Sequence, residues 1–293
     1  MNEDIIRQAL NSFSPQQQAV IQHHINAHNF NGVLPADLVT QLLQVPANLA
    51  ELMLKFLPLA RHYALPATSE FYVGAVVEGK SGALYLGANL EIAGDALAST
   101  IHAEQSAINN ALLHGEKGVV RIAITHPPCG HCRQFINEIK DAAAIEIIVL
   151  DKPTLSLSDL LPEPFGPKEL GSEKMLFSHT QNKQETSDAY INLQHSYAPH
   201  TQSPAIVRLE VLSEENKNTE VFGIYIENAA YNPSLSPLIS ALDRLRFYEQ
   251  DFKKIKTVEL IERKEARISQ RQHILSLLKT IAPNADFIYK TQH

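Results

Sequence analysis

Hydrophobic positions between residues 49 and 150 switch repeatedly between a helical and a strand period. Leu49 to Ala64 carries apolar residues at helical spacing. Phe71 to Val77 and Leu84 to Leu90 follow as two apolar runs joined across Gly79-Lys80-Ser81-Gly82, which predicts a hairpin. Ala98 to Leu113 returns to the helical period, with Ser99 or Thr100 as candidate caps and Gly115 as a stop. Arg121 to Thr125, Gly130 to Lys140 and Glu146 to Leu150 then predict strand, helix and strand. The order β-β-α-β-α-β implies a mixed sheet covered by helices.

The same order returns further along. Ala205 to Leu212 and Val221 to Ile226 predict strands, and Leu235 to Phe247 a helix. Thr257 to Ile261, Gln270 to Ile281 and Phe287 to Tyr289 predict strand, helix and strand. Matching Gly87 to Gly223 pairs Glu91 with Glu227 and sets Leu238-Ile239-Ser240 opposite His102-Ala103-Glu104. Both cysteines of the chain lie in the first copy, so the second is expected to keep the fold without them. Ahead of both, Ser14-Pro15 and Pro35-Ala36-Asp37 mark two helix starts. His24 and His28 sit four apart on the first of these and read as surface histidines, with no third ligand evident. The expected organisation is an N-terminal helical region over 1–47, a catalytic domain over 48–170, a polar linker over 171–188 and a catalytically blank domain over 189–293.

With 293 residues and 44% hydrophobic content, the chain is long enough for two cores. Its formal net charge is −7 and it has no basic run, which disfavours a nucleic-acid partner. Met1-Asn2-Glu3-Asp4 shows no cationic or apolar leader pattern, and the apolar runs are too short to span a bilayer. Two cysteines at Cys-x-x-Cys spacing do not make a secretory disulfide framework. A cytoplasmic protein without a membrane partner is expected.

The candidate chemistry concentrates between Thr100 and Phe135. His102, Cys129 and Cys132 offer one imidazole and two thiolates, the protein ligand count of a catalytic zinc that keeps one position for water. Glu104 stands two residues from His102 and is not needed as a ligand. If His102 and Glu104 lie in one helix's first turn and the cysteines begin another helix, two helix N-termini point at one ion and favour thiolate. Two other readings stay open. One is a closed structural zinc site with His131, His126 or His114 as fourth ligand; the other is a dithiol redox pair. Asn89 and Glu91, at i and i+2, share a strand face and read either as a hydroxyl clamp or as a solvated strand end. Phe71 alone reads as core, and Arg133 either moderates the thiolate charge or faces solvent.

His-x-Glu followed by Pro-Cys-x-x-Cys is the signature of zinc nucleobase deaminases. Together with Phe71-Tyr72-Val73-Gly74-Ala75, Asn89-Leu90-Glu91, His102-Ala103-Glu104-Gln105-Ser106-Ala107 and Pro128-Cys129-Gly130-His131-Cys132-Arg133-Gln134, it resembles the long bacterial and plant type of cytidine deaminase. The resemblance implies an α/β fold: a duplicated α/β/α sandwich with a mixed sheet, plus the small N-terminal helical region. It implies one zinc ion per chain and hydrolysis of cytidine and deoxycytidine to uridine and deoxyuridine, with ammonia released, in pyrimidine salvage. It makes Glu104 the proton shuttle and sets Phe71 against the pyrimidine. Asn89 and Glu91 then hold the ribose hydroxyls, and the Ala103 N–H binds the base O2. The Pro127 carbonyl receives the leaving amine, at a position where threonine or serine is more usual; His126 likewise replaces an aromatic. The stretch from Leu161 to Leu170, three prolines around Phe165, resembles a segment that crosses to the other subunit of a homodimer and covers its pyrimidine pocket. Without the resemblance, the segment reads as a domain-closing loop whose Phe165 caps its own core. The alternatives are a related zinc deaminase acting on another cytosine or purine substrate, and a non-catalytic zinc-stabilised nucleoside-binding protein. A mere binder has no use for Glu104.

Overall fold

Ser14 opens helix α1 (Pro15–Ala27), its hydroxyl accepting the Gln17 N–H at 3.3 Å. A computed structural model describes residues 6, 8–27, 30–43, 48–178, 192–212, 218–248 and 251–293. Strand β1 (Val33–Leu34) and helix α2 (Ala36–Leu42) follow α1, and α3 (Leu49–His62) starts from the Asn48 cap. Strands β2 (Leu65–Pro66), β3 (Gly74–Gly79), β4 (Leu84–Ala88) and β5 (Leu90–Glu91) lead to helix α4 (Ala103–Leu113). Then come β6 (Val119–Ile124), α5 (Gly130–Ile136), β7 (Glu146–Val149), β8 (Leu155–Ser156) and the short α6 (Leu157–Leu160). The second copy comprises β9 (Ala205–Leu212), β10 (Asn218–Ile224), α7 (Pro237–Phe247), β11 (Ile255–Arg263), α8 (Arg271–Ile281) and β12 (Asp286–Gln292).

The two sheets share one topology. The first runs β1-β4-β3-β6-β7-β8 and the second β10-β9-β11-β12. In each, two antiparallel pairings are followed by a parallel one: β4/β3, β3/β6 and β6/β7 match β10/β9, β9/β11 and β11/β12. A parallel neighbour requires a crossover, supplied by α5 in one copy and α8 in the other. The N-terminal region adds more than helices, because β1 extends the first sheet by pairing with β4.

One apolar layer joins α1, α2 and α3 to the sheet face bearing Val76, Leu84, Leu86 and Ala88. The other face joins α4 and α5 to α7, α8 and the second sheet in a continuous core containing Val77, Ile108, Phe135, Val207, Leu242 and Leu277. Among the described residues, no helix ahead of β9 corresponds to α3. The second sheet carries Arg208 with Glu210, Glu220 and Glu259, and Lys290 with Glu259.

Packing corrects the register of the repeat. A Cβ on Gly87 would lie 2.4 Å from the Ala103 carbonyl and 2.1 Å from the Ala107 nitrogen. One on Gly223 would lie 2.2 Å from both the Pro237 carbonyl and the Ala241 nitrogen. Ser106 Oγ accepts the Ala88 N–H at 3.2 Å, and Ser240 Oγ accepts the Ile224 N–H at 3.1 Å. The structure therefore sets Ser236-Pro237-Leu238 opposite His102-Ala103-Glu104, rather than Leu238-Ile239-Ser240. The connection from strand to helix is longer in the first copy, and residue matching from the glycines carried that excess into the helix.

Other boundaries moved for local reasons. The helix expected from Ala98 begins at Ala103, because Leu97–Ser99 is a separate 3₁₀ turn and Ile101 exchanges two 3.0 Å backbone bonds with Leu90. The helix expected to reach Lys140 ends at Ile136; Glu138 turns inward, and Ile139 bridges to Leu176. Leu176 and Phe177, at the start of the stretch read as a linker, are buried, whereas 179–188 lies outside the described residues. His24 Nε2 meets the Val33 carbonyl at 3.1 Å, and His28 lies outside the described residues.

Candidate active site

Helix starts build the centre. His102 is the N-cap of α4, in extended conformation, and its N–H donates to Gln105 Oε1 at 3.2 Å. Cys129 is the N-cap of α5, and its sulfur accepts the Cys132 N–H at 3.5 Å. The two termini face each other, so His102 Nδ1 lies 3.5 Å from Cys129 Sγ and 3.3 Å from Cys132 Sγ. Among the described residues this is the one cluster of three or more His, Cys, Asp or Glu side chains with metal-ligand geometry, its donor atoms all within 4.8 Å. A tetrahedral zinc with bonds of about 2.3 Å to sulfur and about 2.05 Å to nitrogen puts those atoms about 3.6 Å apart. The cluster fits a zinc ion. His114, His126 and His131 stand outside it, which removes support from a closed four-ligand site.

The three donors are electrostatically coupled. The bond to the Cys132 thiol, then the one to His102, hold Cys129 down at about 3. Cys132 is pushed well up by its bond to that thiolate and by burial. The bond to Cys129 raises His102, against the pull of burial. Glu104, 4% exposed in the first turn of α4, has its carboxyl raised by burial. A carboxyl poised above its ordinary range is suited to taking and returning protons. His131 stacks on His102 at 5.5 Å between centroids, and burial lowers it.

Around this centre, Asn89 and Glu91 hold turns as well as sharing a strand end. Asn89 Oδ1 accepts the Val73 N–H and its Nδ2 donates to the Phe71 carbonyl, both at 2.9 Å. That clamp takes the place of ladder bonds, and β3 accordingly starts at Gly74 rather than Phe71. Glu91 accepts the N–H groups of Thr68 and Ser69 at 2.9 and 2.8 Å and the Ser69 hydroxyl at 2.5 Å. Partial burial pulls its carboxyl upward, but these bonds prevail and lower it. Phe71 is not core: it is 52% exposed, with its ring 4.6 Å from that of His126. Ala103 is buried at the first position of α4. Pro127 is exposed beside buried Pro128, and no cis peptide occurs among the described residues.

Phe165 is 47% exposed, so it does not cap its own chain's core. Its carbonyl accepts from Gln134 Nε2 at 2.5 Å and Asn137 Nδ2 at 3.1 Å. Arg133 neither faces the thiolates nor points free into solvent. Its Nε donates to the Pro128 carbonyl at 2.9 Å and its Nη1 to the Leu160 carbonyl at 3.0 Å, fixing the loop ahead of Cys129. Sequence reading missed this brace and the Thr68–Ser69 turn. An arginine four residues after Cys129 was visible, but nothing in one sequence pairs it with carbonyls.

The second copy repeats the turn, with no such ligand cluster among its described residues. Glu227 accepts the N–H groups of His200 and Thr201 at 2.7 and 3.0 Å, as Glu91 does those of Thr68 and Ser69. Beside it lies Glu138 of the first copy, bonded to the Tyr197 hydroxyl at 2.9 Å, His200 Nε2 at 2.6 Å and the Ala229 N–H at 3.0 Å.

Comparison with known proteins agrees with the duplication. The family described as the cytidine and deoxycytidylate deaminase zinc-binding region matches twice, over residues 47–147 and 157–274. A cytidine deaminase of Vibrio atlanticus (strain LGP32) is 40% identical over 291 residues, covering 96% of this chain and 97% of its own. One from Shewanella sp. (strain W3-18-1) is 43% identical over 262 residues, 87% of each chain. A solved cytidine deaminase from Burkholderia pseudomallei aligns with 39% of this chain and 97% of its own, at 28% identity and a TM-score of 0.35. With identity of this order along nearly the whole length, and zinc-site geometry at the facing ends of α4 and α5, the chain belongs to the cytidine deaminase family.

Proposed function

We propose that this protein hydrolyses cytidine and deoxycytidine to uridine and deoxyuridine with release of ammonia, as a cytoplasmic enzyme of pyrimidine salvage. The observation that carries the reading is a buried carboxyl, Glu104, in the same helix turn as one member of a two-thiol, one-imidazole cluster. His102, Cys129 and Cys132 would hold a zinc ion, which would supply a water acidic enough to serve as nucleophile near neutral pH. Glu104 would take one proton of the attacking water and pass it to N3 as the oxygen bonds to C4, then take the second proton from that oxygen and give it to the amine as the C4–N bond breaks, leaving the C4 carbonyl and ammonia. The Ala103 N–H, at a helix N-terminus, holds O2 of the base, and the Pro127 carbonyl accepts from the departing amine. Phe71 packs on the pyrimidine. Asn89 and Glu91 each keep bonding capacity beyond the turns they hold and engage the ribose 3′-OH.

In this reading residues 48–170 are the catalytic domain and 189–293 the blank one, joined through 171–188 and preceded by the helical region 1–47. Two large exposed rings, Phe71 and Phe165, favour a homodimer in which Phe165 of one protomer covers the pyrimidine pocket of its partner. The direct test is ammonia release from cytidine by the purified protein; no release overturns the activity. The dimer is tested by refolding Glu104→Ala together with Phe165→Ala, each inactive alone. Cover in trans restores up to about a quarter of wild-type activity, from the mixed dimers of random pairing. Cover in cis restores none.

A further inference from the structure

Helices α4 and α7 meet through buried polar side chains. Gln105 Nε2 donates to the Pro233 carbonyl at 3.2 Å, and Asn109 Nδ2 donates to Asp243 Oδ2 at 2.9 Å and the Ser240 carbonyl at 3.2 Å. Ser240 Oγ returns a bond to Asn109 Oδ1 at 2.7 Å. Asn109 and Asp243 occupy equivalent positions in the two helices, as do Ser106 and Ser240, so this junction is nearly symmetric.

The symmetry breaks one turn further on. Where α4 has Leu112, α7 has Arg246, which is 4% exposed. Its Nη1 donates to the carbonyls of Tyr63 at 3.0 Å and Asn89 at 2.9 Å. Its Nη2 reaches the Ala88 carbonyl, Ser106 Oγ at 2.8 Å and the Asp243 carboxylate. Asn89 is the single residue between β4 and β5, and Ser106 lies two residues beyond Glu104 in α4. One guanidinium from the blank copy thus ties the strand end bearing Asn89 and Glu91 to the helix bearing Glu104. Nothing reciprocal is possible at Leu112, which has no side-chain donor.

Burying a guanidinium is costly unless its hydrogen bonds are well made, and an apolar side chain could have filled the same junction. The rigid fork of arginine, unlike the single ammonium of lysine, can hold several carbonyls in one fixed arrangement. We propose that Arg246 is a positioning residue that sets the ribose clamp, Asn89 and Glu91, at its working distance from α4. The copy without metal ligands thereby governs how strongly the other copy selects nucleosides. This rests on the assignment of Asn89 and Glu91 to the ribose.

The test compares wild type, Arg246→Lys, Glu91→Ala and the double variant, all zinc-loaded, by kcat and KM for cytidine and 3′-deoxycytidine alongside Tm and zinc content. Arg246→Lys is expected to bind its zinc but to discriminate between the two nucleosides about tenfold less in kcat/KM, chiefly through a raised KM for cytidine. Glu91→Ala is expected to narrow the gap, and adding Arg246→Lys to it should narrow it less than Arg246→Lys does in wild type, because half of the clamp being positioned is gone. A lowered Tm with unchanged discrimination would make Arg246 interface glue and overturn the proposal. Unchanged discrimination in Glu91→Ala would remove the ribose assignment, and the positioning role with it. If Arg246→Lys does not fold, Arg246→Met with Asp243→Asn removes both charges, leaves Asn109 an acceptor, and is judged by the same ratio.

Discussion

The two copies in this chain differ less in scaffold than in what stands at two helix starts. Both press a strand glycine, Gly87 or Gly223, against the backbone of the following helix. Both bond a helix serine to the strand and gather two loop N–H groups on a carboxylate, Glu91 or Glu227. At the N-caps they part: His102 and Cys129 in the first copy, Ser236 and Gln270 in the second. Leu238 stands where Glu104 would be. The fold of this family therefore persists without its chemistry, and the chemistry is confined to a few side chains that the helix termini aim.

The comparison predicts its own breaking points. The largest effect belongs to the ligands: Cys129→Ala should lose zinc, by elemental analysis, and all measurable ammonia release. Gln270→Ala at the matching cap should keep one zinc per chain and full activity. Two zinc ions per wild-type chain would contradict the blankness of the second copy. Next, Glu104→Gln keeps shape and metal but carries no proton, and kcat should fall by ~10²–10⁴-fold with zinc content unchanged. Turnover within threefold of wild type would show that another group shuttles the proton. The matched carboxylates sharpen the contrast further. Glu91→Ala should lower the preference for cytidine over 3′-deoxycytidine, whereas Glu227→Ala should leave that ratio alone. Glu227→Ala should instead lower stability in chemical denaturation by about 1–3 kcal/mol, because two loop N–H groups lose their acceptor. Of the same size is the effect at the glycine pair. Gly87→Ala and Gly223→Ala should each destabilise by about 1–3 kcal/mol through overpacking. Only the former presses directly on the helix bearing Glu104, so activity per zinc-loaded molecule should drop further there.

Much of this was legible in the residues because the signals are local. Strand and helix periods located the longer elements of both sheets, though not the two-residue strands β1 and β8, and a His, a Glu and a Cys-x-x-Cys announced the centre. Features that depended on distant partners were not legible. The start of α4 was misplaced because Ile101 is drawn back to Leu90, a pairing no period reveals. Helix α5 ended early because Glu138 serves the second copy rather than its own helix. The repeat slipped because a connection of different length precedes each helix. Arg246 had one local trace: Asp243 and Arg246 stand three apart in a helix that also carries Ser240 and Arg244, a pattern that can equally mark a solvated face.

Helix α4 has almost no solvent face: every residue from Ala103 to Ala111 is buried, between its own sheet and α7. In evolutionary terms this is a ratchet. Once a duplicated copy covers Gln105, Asn109 and Ser106, losing its metal ligands costs the protein nothing, while losing the copy leaves three polar side chains and an apolar face uncovered. Decay of the second centre is permitted and deletion is not. A minimal enzyme made by trimming this chain after the first copy would need a new surface designed onto α4 before it could stay in solution.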